Sequence, residues 1–246
     1  MDKAVSIKGL RYTYGPSGGA KQALKGIDLE VGKGHIFGFI GPNGAGKTTT
    51  IKILLGIMRS QEGSAELLGR PVGDVKVRSR IGYMPEVANY YGFLTARETL
   101  MMYGSVFGIG KRVLRERSAE LLEKTGLSGE AERRIKYFSK GMMQKLSFAQ
   151  ALINDPDLLV LDEPTSGLDP LARSAMRKVL KSLQSEGKTV FFSSHELSEV
   201  ELVSDRVGII YEGGILGEGP VGELIGGKEA GQSLENYFLQ MIGEGT

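Results

Sequence analysis

The sequence predicts an α/β fold with a central, mostly parallel sheet, an antiparallel β-subdomain at the N-terminus and a helical insert. Three observations support it. Short apolar runs without alternation, such as Leu158 to Leu161, Thr189 to Phe192 and Val207 to Tyr211, have the texture of strands buried on both faces. Val5 to Tyr14 and Ala23 to Val31 read as strands flanking the turn Gly15, Pro16, Ser17, Gly18, Gly19. Between residues 95 and 155 strand-like runs disappear, and apolar residues at helical spacing stand among many charges.

Taken in order, the next element is the apolar run His35 to Ile40, followed by a glycine loop and a helix. In that helix Ile51, Leu54, Leu55 and Met58 recur at i, i+3, i+4 and i+7. Inside the insert, Leu114, Leu121 and Leu122 share one helix face. Ser139, a good N-cap, precedes Met142, Leu146, Ala149 and Ile153 on another. Asp169 places Pro170 in a helical first turn, ahead of the stripe Ala172, Met176, Val179, Leu180 and Leu183. Ser233 caps a last helix, expected over 233–242, with Leu234, Tyr237, Phe238 and Met241 on one side. With no repeat or low-complexity linker, the expectation is one domain over 1–246 with its insert at 95–155.

Composition narrows the chemistry. The 246 residues carry 31 Lys and Arg against 29 Asp and Glu, a formal charge of +2, so there is no cationic excess for nucleic-acid binding. The absence of Cys excludes disulfides, thiolate metal sites and cysteine nucleophiles. No apolar run approaches the ~18 residues of a membrane span. The first residues (Met1 to Ser6) lack a signal-peptide core, so a soluble, intracellular chain is expected. Glycine, at 36 residues, is about twice its ordinary ~7% share, which implies many tight turns or close approaches of backbone to a ligand.

One of those glycine-rich stretches is a motif. Gly41, Pro42, Asn43, Gly44, Ala45, Gly46, Lys47 and Thr48 match G-x-x-x-x-G-K-[ST] between the run ending at Ile40 and the helix carrying Ile51. Glycines let backbone N–H groups wrap phosphates, and the helix N-terminus supplies positive potential. Lys47 neutralises β/γ oxygens, and the Thr48 hydroxyl is a Mg²⁺ ligand. A second motif follows from the buried run Leu158 to Leu161, which delivers Asp162 and Glu163 in succession. That pattern places one acid near the Mg²⁺ shell and another near the attacking water.

On these residues the chain resembles the ATPase subunits of ATP-binding-cassette (ABC) transporters over nearly its whole length, and so a P-loop ABC-ATPase fold. Phe138, Ser139, Lys140, Gly141 and Met142 resemble the signature motif usually written L-S-G-G-Q. Ser166, Gly167, Leu168 and Asp169 resemble the D-loop, and His195, in Ser193-Ser194-His195-Glu196, the switch histidine. Tyr14 matches the aromatic that stacks on adenine, and Glu86, in Ile81 to Glu86, stands where the family usually has the Q-loop glutamine. The resemblance implies ATP and Mg²⁺ as ligands. It implies nucleotide contacts from Tyr14, Gly41 to Thr48, Thr49, Ser139 and Gly141, and metal contacts from Thr48, Glu86 and Asp162. Glu163 and His195 are implied as the catalytic pair.

There are two departures. Glu86 adds negative charge where the family carries an amide, although a carboxylate still reaches Mg²⁺ or its water. In the signature, Phe138, Lys140 and Met142 replace Leu, Gly and Gln, while Ser139 and Gly141 keep the hydroxyl and the close backbone. Lys140 is read either as a cation beside the phosphate or as a solvated side chain. Both departures resemble the branch serving type-2 exporters of drugs, polysaccharides and lipids.

Elsewhere the plainer readings hold. His35 is structural, and Met101, Met102, Met142 and Met143 are packing residues. Lys111, Arg112, Arg115 and Arg117 form a solvated helix face, and the C-terminal stripe packs on its own domain. The expected function is a Mg²⁺-dependent ATPase that powers export through transmembrane permease subunits on separate chains. It would work as a homodimer or heterodimer of ATPase subunits, in the cytoplasm at the inner face of the membrane, and bind no nucleic acid. The alternative is a soluble ABC ATPase without a transport role, of the iron–sulfur assembly type.

Overall fold

The computed structural model describes residues 2–15, 19–226 and 233–243, so Met1 and the turn residues Pro16, Ser17 and Gly18 lie outside the described residues. The chain opens with strands β1 (Lys3–Tyr14), β2 (Lys21–Gly32) and β3 (Ile36–Ile40), then helix α1 (Lys47–Leu54). Next come β4 (Glu62–Leu67), β5 (Arg70–Pro71), the single turn α2 (Val75–Arg78) and β6 (Ile81–Met84). Helices α3 (Ala96–Val106), α4 (Lys111–Lys124) and α5 (Lys140–Ala151) precede β7 (Leu158–Asp162) and α6 (Pro170–Ser185). The remainder is β8 (Thr189–Ser194), α7 (Leu197–Val203), β9 (Arg206–Tyr211), β10 (Gly214–Pro220), α8 (Val221–Leu224) and α9 (Leu234–Met241).

These elements form two compact units, one of residues 1–78 with 189–246 and the other of residues 79–188. In the first unit an antiparallel sheet runs in the order β2-β1-β4-β5. Its register, Val5 opposite Val31 and Ile7 opposite Leu29, puts the buried Ile27, Leu29 and Val31 on one face and the exposed Asp28 and Glu30 on the other. That alternation is what a sheet with one wet face requires. The same unit contains the strand order β10-β9-β3-β8, with β3 parallel to both β8 and β9. Every residue of β3 is buried, and Phe37 stacks on Phe191 of β8 at 5.8 Å. Gly38 is there because α7 lies so close: a Cβ would meet Val200 Cγ1 at 2.3 Å.

In the second unit β6 and β7 pair in parallel, Met84 opposite Leu161. Gly82 lets the end of α5 approach β6, since a Cβ would meet the Ala151 carbonyl oxygen at 2.0 Å. Gly104 does the same for α3 and α4, its Cβ direction being filled by Leu114. Thr95 and Glu98 form a capping box that starts α3. Asp169 caps α6 with Pro170 at its first position.

The expected α/β class, antiparallel N-terminal sheet and parallel pairings are present, with local differences. The helix expected to carry Met58 stops at Leu54, and Gly56 turns away at φ +68. The strands β4, β5 and β10 gave no sequence signal: Glu62–Leu67 is polar and mostly exposed, so neither apolar alternation nor a buried run marks it. Arg117 is not purely solvated, for it pairs with Asp155 at 3.4 Å. On α9 only Leu234 is fully buried; Phe238 meets Tyr211 edge-on at 6.0 Å, and Met241 is exposed. Among the described residues no helix is long and apolar enough to cross a membrane.

Candidate active site

In the first unit, the loop between β3 and α1 is built by backbone demands that glycine meets. Gly44 and Gly46 have φ +82 and +118, and a Cβ on Gly41 would lie 2.1 Å from the Ile210 carbonyl oxygen. The hairpin between β9 and β10 pins the loop through a bond from Gly213 N to the Ala45 carbonyl, 2.9 Å. Gly46 is the N-cap of α1 and supplies no side-chain cap, and no acid lies in the first turn. The leading N–H groups of α1 therefore form a donor set suited to an anion. Lys47 is only 6% exposed; its Nζ donates to the carbonyls of Gly41 (2.5 Å) and Pro42 (3.3 Å), which holds the cation over the loop.

Three further residues belong to this unit. The Tyr14 hydroxyl reaches Thr49 Oγ1 at 3.1 Å and Met58 Sδ at 3.7 Å, so the expected adenine-stacking ring and the phosphate loop are neighbours. Gly41 N donates to the Ser194 carbonyl at 3.3 Å, which brings the start of the loop beside the end of β8. His195, exposed, is the next residue after that strand. Pro42, Asn43 and Thr48 are exposed or half-buried on the loop and the first helical turn.

The second unit carries the other candidates. Asp162 ends β7 and is buried; Glu163 follows it, 6% exposed, at φ +51. Glu86 and Glu163 each lie two residues beyond the paired positions Met84 and Leu161, but Glu86 is exposed on its loop where Glu163 is buried. Tyr83, on β6, has its hydroxyl pushed up to about 12 by burial and by the neighbouring Asp162 carboxylate. Ser139 is the N-cap of α5, its Oγ accepting from Met142 N at 3.2 Å, and Gly141 sits half-buried in the first turn. The Lys140 side chain lies across the D-loop: a Cβ on Gly167 would meet its Nζ at 2.8 Å.

One residue of this neighbourhood was not apparent in the sequence. Gln144, on α5, is 4% exposed and donates through Nε2 to the carbonyls of Glu163 (3.2 Å) and Pro164 (3.1 Å). The only hint was an amide at helical spacing from Ser147, Phe148 and Ala151 on α5. The plainer readings of His35 and the methionines agree with their places: His35 Nδ1 faces Asp205 at 3.9 Å, and Met101 and Met102 are half-buried on α3.

The family described as "ABC transporter" matches residues 24–166. The chain is 46% identical over 210 residues to the uncharacterized ABC transporter ATP-binding protein sll0415 of Synechocystis, covering 85% of this chain and 59% of the relative. It is 40% identical over 221 residues to the Nod factor export ATP-binding protein I of Burkholderia orbicola, covering 89% of this chain and 73% of the relative. A dimeric, post-hydrolysis structure of the ATP-binding cassette MJ0796 bound to ADP and Pi superposes with a TM-score of 0.82 at 25% identity, over 88% of this chain and 98% of that one. The chain thus spans about three fifths of the length of the Synechocystis relative. The matched span includes the phosphate loop, the Ser139 segment and the Asp162–Glu163 pair, and with the identities above this places the chain in the ABC transporter family.

Proposed function

We propose that this chain binds and hydrolyses ATP and drives export through transmembrane permease subunits on separate chains, with two ATPase subunits working as a dimer at the cytoplasmic face of the membrane. Export rather than import is supported by the resemblance to a Nod factor export protein and by the departures at Glu86 and Lys140. The transport reading is preferred to the soluble alternative because the relatives are named as transporter components.

Hydrolysis rests on one observation above others: Glu163 is a buried carboxylate in a left-handed backbone conformation directly after the buried Asp162. A residue other than glycine keeps such a conformation only where its surroundings over-determine it, and such positions cluster at functional sites. Glu163 accepts the proton of the attacking water. The water oxygen bonds to the γ-phosphorus as the bond to the β,γ-bridging oxygen breaks, giving ADP and inorganic phosphate. Lys47 and the N–H groups of α1 balance the β/γ charge, the Tyr14 ring stacks on adenine, and His195 contacts the γ-phosphate.

The donor set also suits Mg²⁺. That ion takes one or two protein oxygens and shares the rest of its shell with water and substrate phosphates, so it needs no all-protein cage. The Thr48 hydroxyl and the buried Asp162 carboxylate are hard oxygen donors of this kind and would hold the ion, with Glu86 as an expected third donor. When bound, the ion supplies charge neutralisation at the phosphates.

Steady-state hydrolysis and nucleotide binding test the proposal together. Glu163→Gln keeps ATP affinity and lowers kcat by roughly 10²–10⁴, the usual share of general-base catalysis. Lys47→Ala weakens binding, because its charge acts in the ground state as well. Near-wild-type turnover by Glu163→Gln would eliminate the assignment.

A further inference from the structure

We propose that Gln144 is a positioning residue for the Glu163 carboxylate, acting through the backbone that follows it. The inference rests on Glu163 as the hydrolytic base.

A buried carboxamide is costly unless its donors are used. Gln144 lies on the face of α5 that also buries Ser147, Phe148 and Ala151, and it directs Nε2 at two consecutive carbonyls, of Glu163 and Pro164. Those two carbonyls belong to the turn that carries the chain from β7 toward the D-loop. The Glu163 carbonyl also accepts from Ser166 N at 3.1 Å, which closes that turn. Pro164 has no N–H to give, so the turn is held chiefly through its acceptors.

The direction of the Glu163 carboxylate depends on its Cα, and the Cα on the peptide planes to either side. β7 leads into Glu163, its ladder with β6 running as far as Leu161 opposite Met84. The plane after it is fixed by the Gln144 amide and Ser166 N. At φ +51 the relaxed alternative for a glutamate is to turn into the ordinary right-handed or extended region, which would swing the carboxylate away from its present direction. The amide of Gln144 opposes that swing. Its place five residues along α5 from Ser139 also means that one helix carries both the signature serine and the brace on the base.

The test is a double-mutant cycle on ATP hydrolysis by the full chain. Gln144→Met keeps the length and removes both donors; Gln144→Asn keeps the donors but is one carbon too short to reach. The expected result for each is a kcat about 10- to 100-fold lower, the range for a misplaced catalytic group, with KM and the Kd for Mg-ATP within about twofold of wild type. In the Glu163→Gln background the same substitutions add no further loss, because the group they position is already gone.

Wild-type kcat in Gln144→Met, beside an impaired Glu163→Gln, overturns this inference and leaves the base assignment standing. Near-wild-type turnover by Glu163→Gln overturns the base assignment, and this inference with it. Equal losses in both backgrounds, or KM and Kd rising together with a falling Tm, make Gln144 a scaffold residue and overturn the proposal. So does failure of both variants to fold.

Discussion

The hydroxyl of Tyr14 and Oγ1 of Thr49 share a hydrogen bond of 3.1 Å, which ties the end of β1 to the first turn of α1. The Tyr14 ring is 41% exposed and meets Tyr12 edge-on at 4.8 Å, so one side chain joins a structural role at its hydroxyl to an available aromatic face. The two roles separate by mutation. Tyr14→Phe loses roughly 0.5–1.5 kcal/mol of stability, the worth of one hydrogen bond, and keeps ATP affinity. Tyr14→Ala weakens ATP roughly 10- to 100-fold, as loss of base stacking does. Calorimetric titration with ATP and urea denaturation read the two effects apart; equal ATP affinity in both variants would remove Tyr14 from the adenine site.

The phosphate loop contains two different kinds of glycine. Gly41 is hemmed in by the Ile210 carbonyl oxygen, 2.1 Å from where its Cβ would lie, whereas Gly44 has open space but φ +82. Gly41→Ala must move backbone and is expected to cost about 1–3 kcal/mol or more. Gly44→Ala pays only for the left-handed conformation, about 1–2 kcal/mol. Denaturant midpoints at constant m-value measure the order; a larger loss at Gly44 would show that the strand beside Ile210 yields easily.

Stability at high pH is set in part by two tyrosines of the second unit. Burial, then the Asp162 carboxylate, raises the Tyr83 hydroxyl from an ordinary 10.0 to about 12. Burial chiefly, with Tyr103 adding to it, raises Tyr90 to about 12. The folded state keeps these protons at a pH where the unfolded chain has released them. Their contribution is therefore complete below pH 10 and is lost as pH rises from 10 toward 12. The denaturation midpoint should fall across that window, and less steeply in the Tyr83→Phe, Tyr90→Phe double variant. Asp162→Asn should bring the Tyr83 tyrosinate absorbance step to lower pH. A double variant with an unchanged slope would assign the loss to other groups.

If the proposed dimer holds ATP between its two copies, Lys47 of one copy is expected to face Ser139 and Gly141 of the other across the nucleotide. Asn43 on the phosphate loop and Lys140 on α5 are both exposed, and the chain has no cysteine of its own. Asn43→Cys and Lys140→Cys, made separately in the Glu163→Gln background and mixed, should give a mixed crosslink with a short bismaleimide, which alkylates one thiol at each end, only when Mg-ATP is added. Like charges brought to the gap by the two copies would repel before nucleotide binds, and the polyphosphate between them would reverse the sign. No nucleotide-dependent rise while both thiols stay reactive would exclude this arrangement for the homodimer.

Much of the architecture could be read from the residues because the signals are local. The phosphate loop is legible because glycine spacing, one lysine and one hydroxyl lie within eight consecutive positions, between a buried run and a helical stripe. The caps Ser139 and Asp169 are legible for the same reason: each satisfies an N–H three residues away. The end of α1 was less so, since Leu55 and Met58 continue the apolar period beyond the Gly56 turn that ends the helix.

The contacts that arrange the candidate chemistry were decided only in three dimensions. Tyr14 and Thr49 are 35 residues apart, and Gln144 and Glu163 are 19 apart. Nothing in the period or spacing of either segment marks the other as its partner. The left-handed turn at Glu163 is likewise against the intrinsic preference of a glutamate, so no local rule predicts it. By itself the sequence determined the buried strands β3, β7, β8 and β9, the capped helices α5 and α6 and where the phosphate-binding loop lies, because those depend on neighbours within a few residues. Tertiary structure decided how the acidic end of β7 is held and which hydroxyl meets the loop, because those energies arise only when distant segments pack and bury their polar groups together.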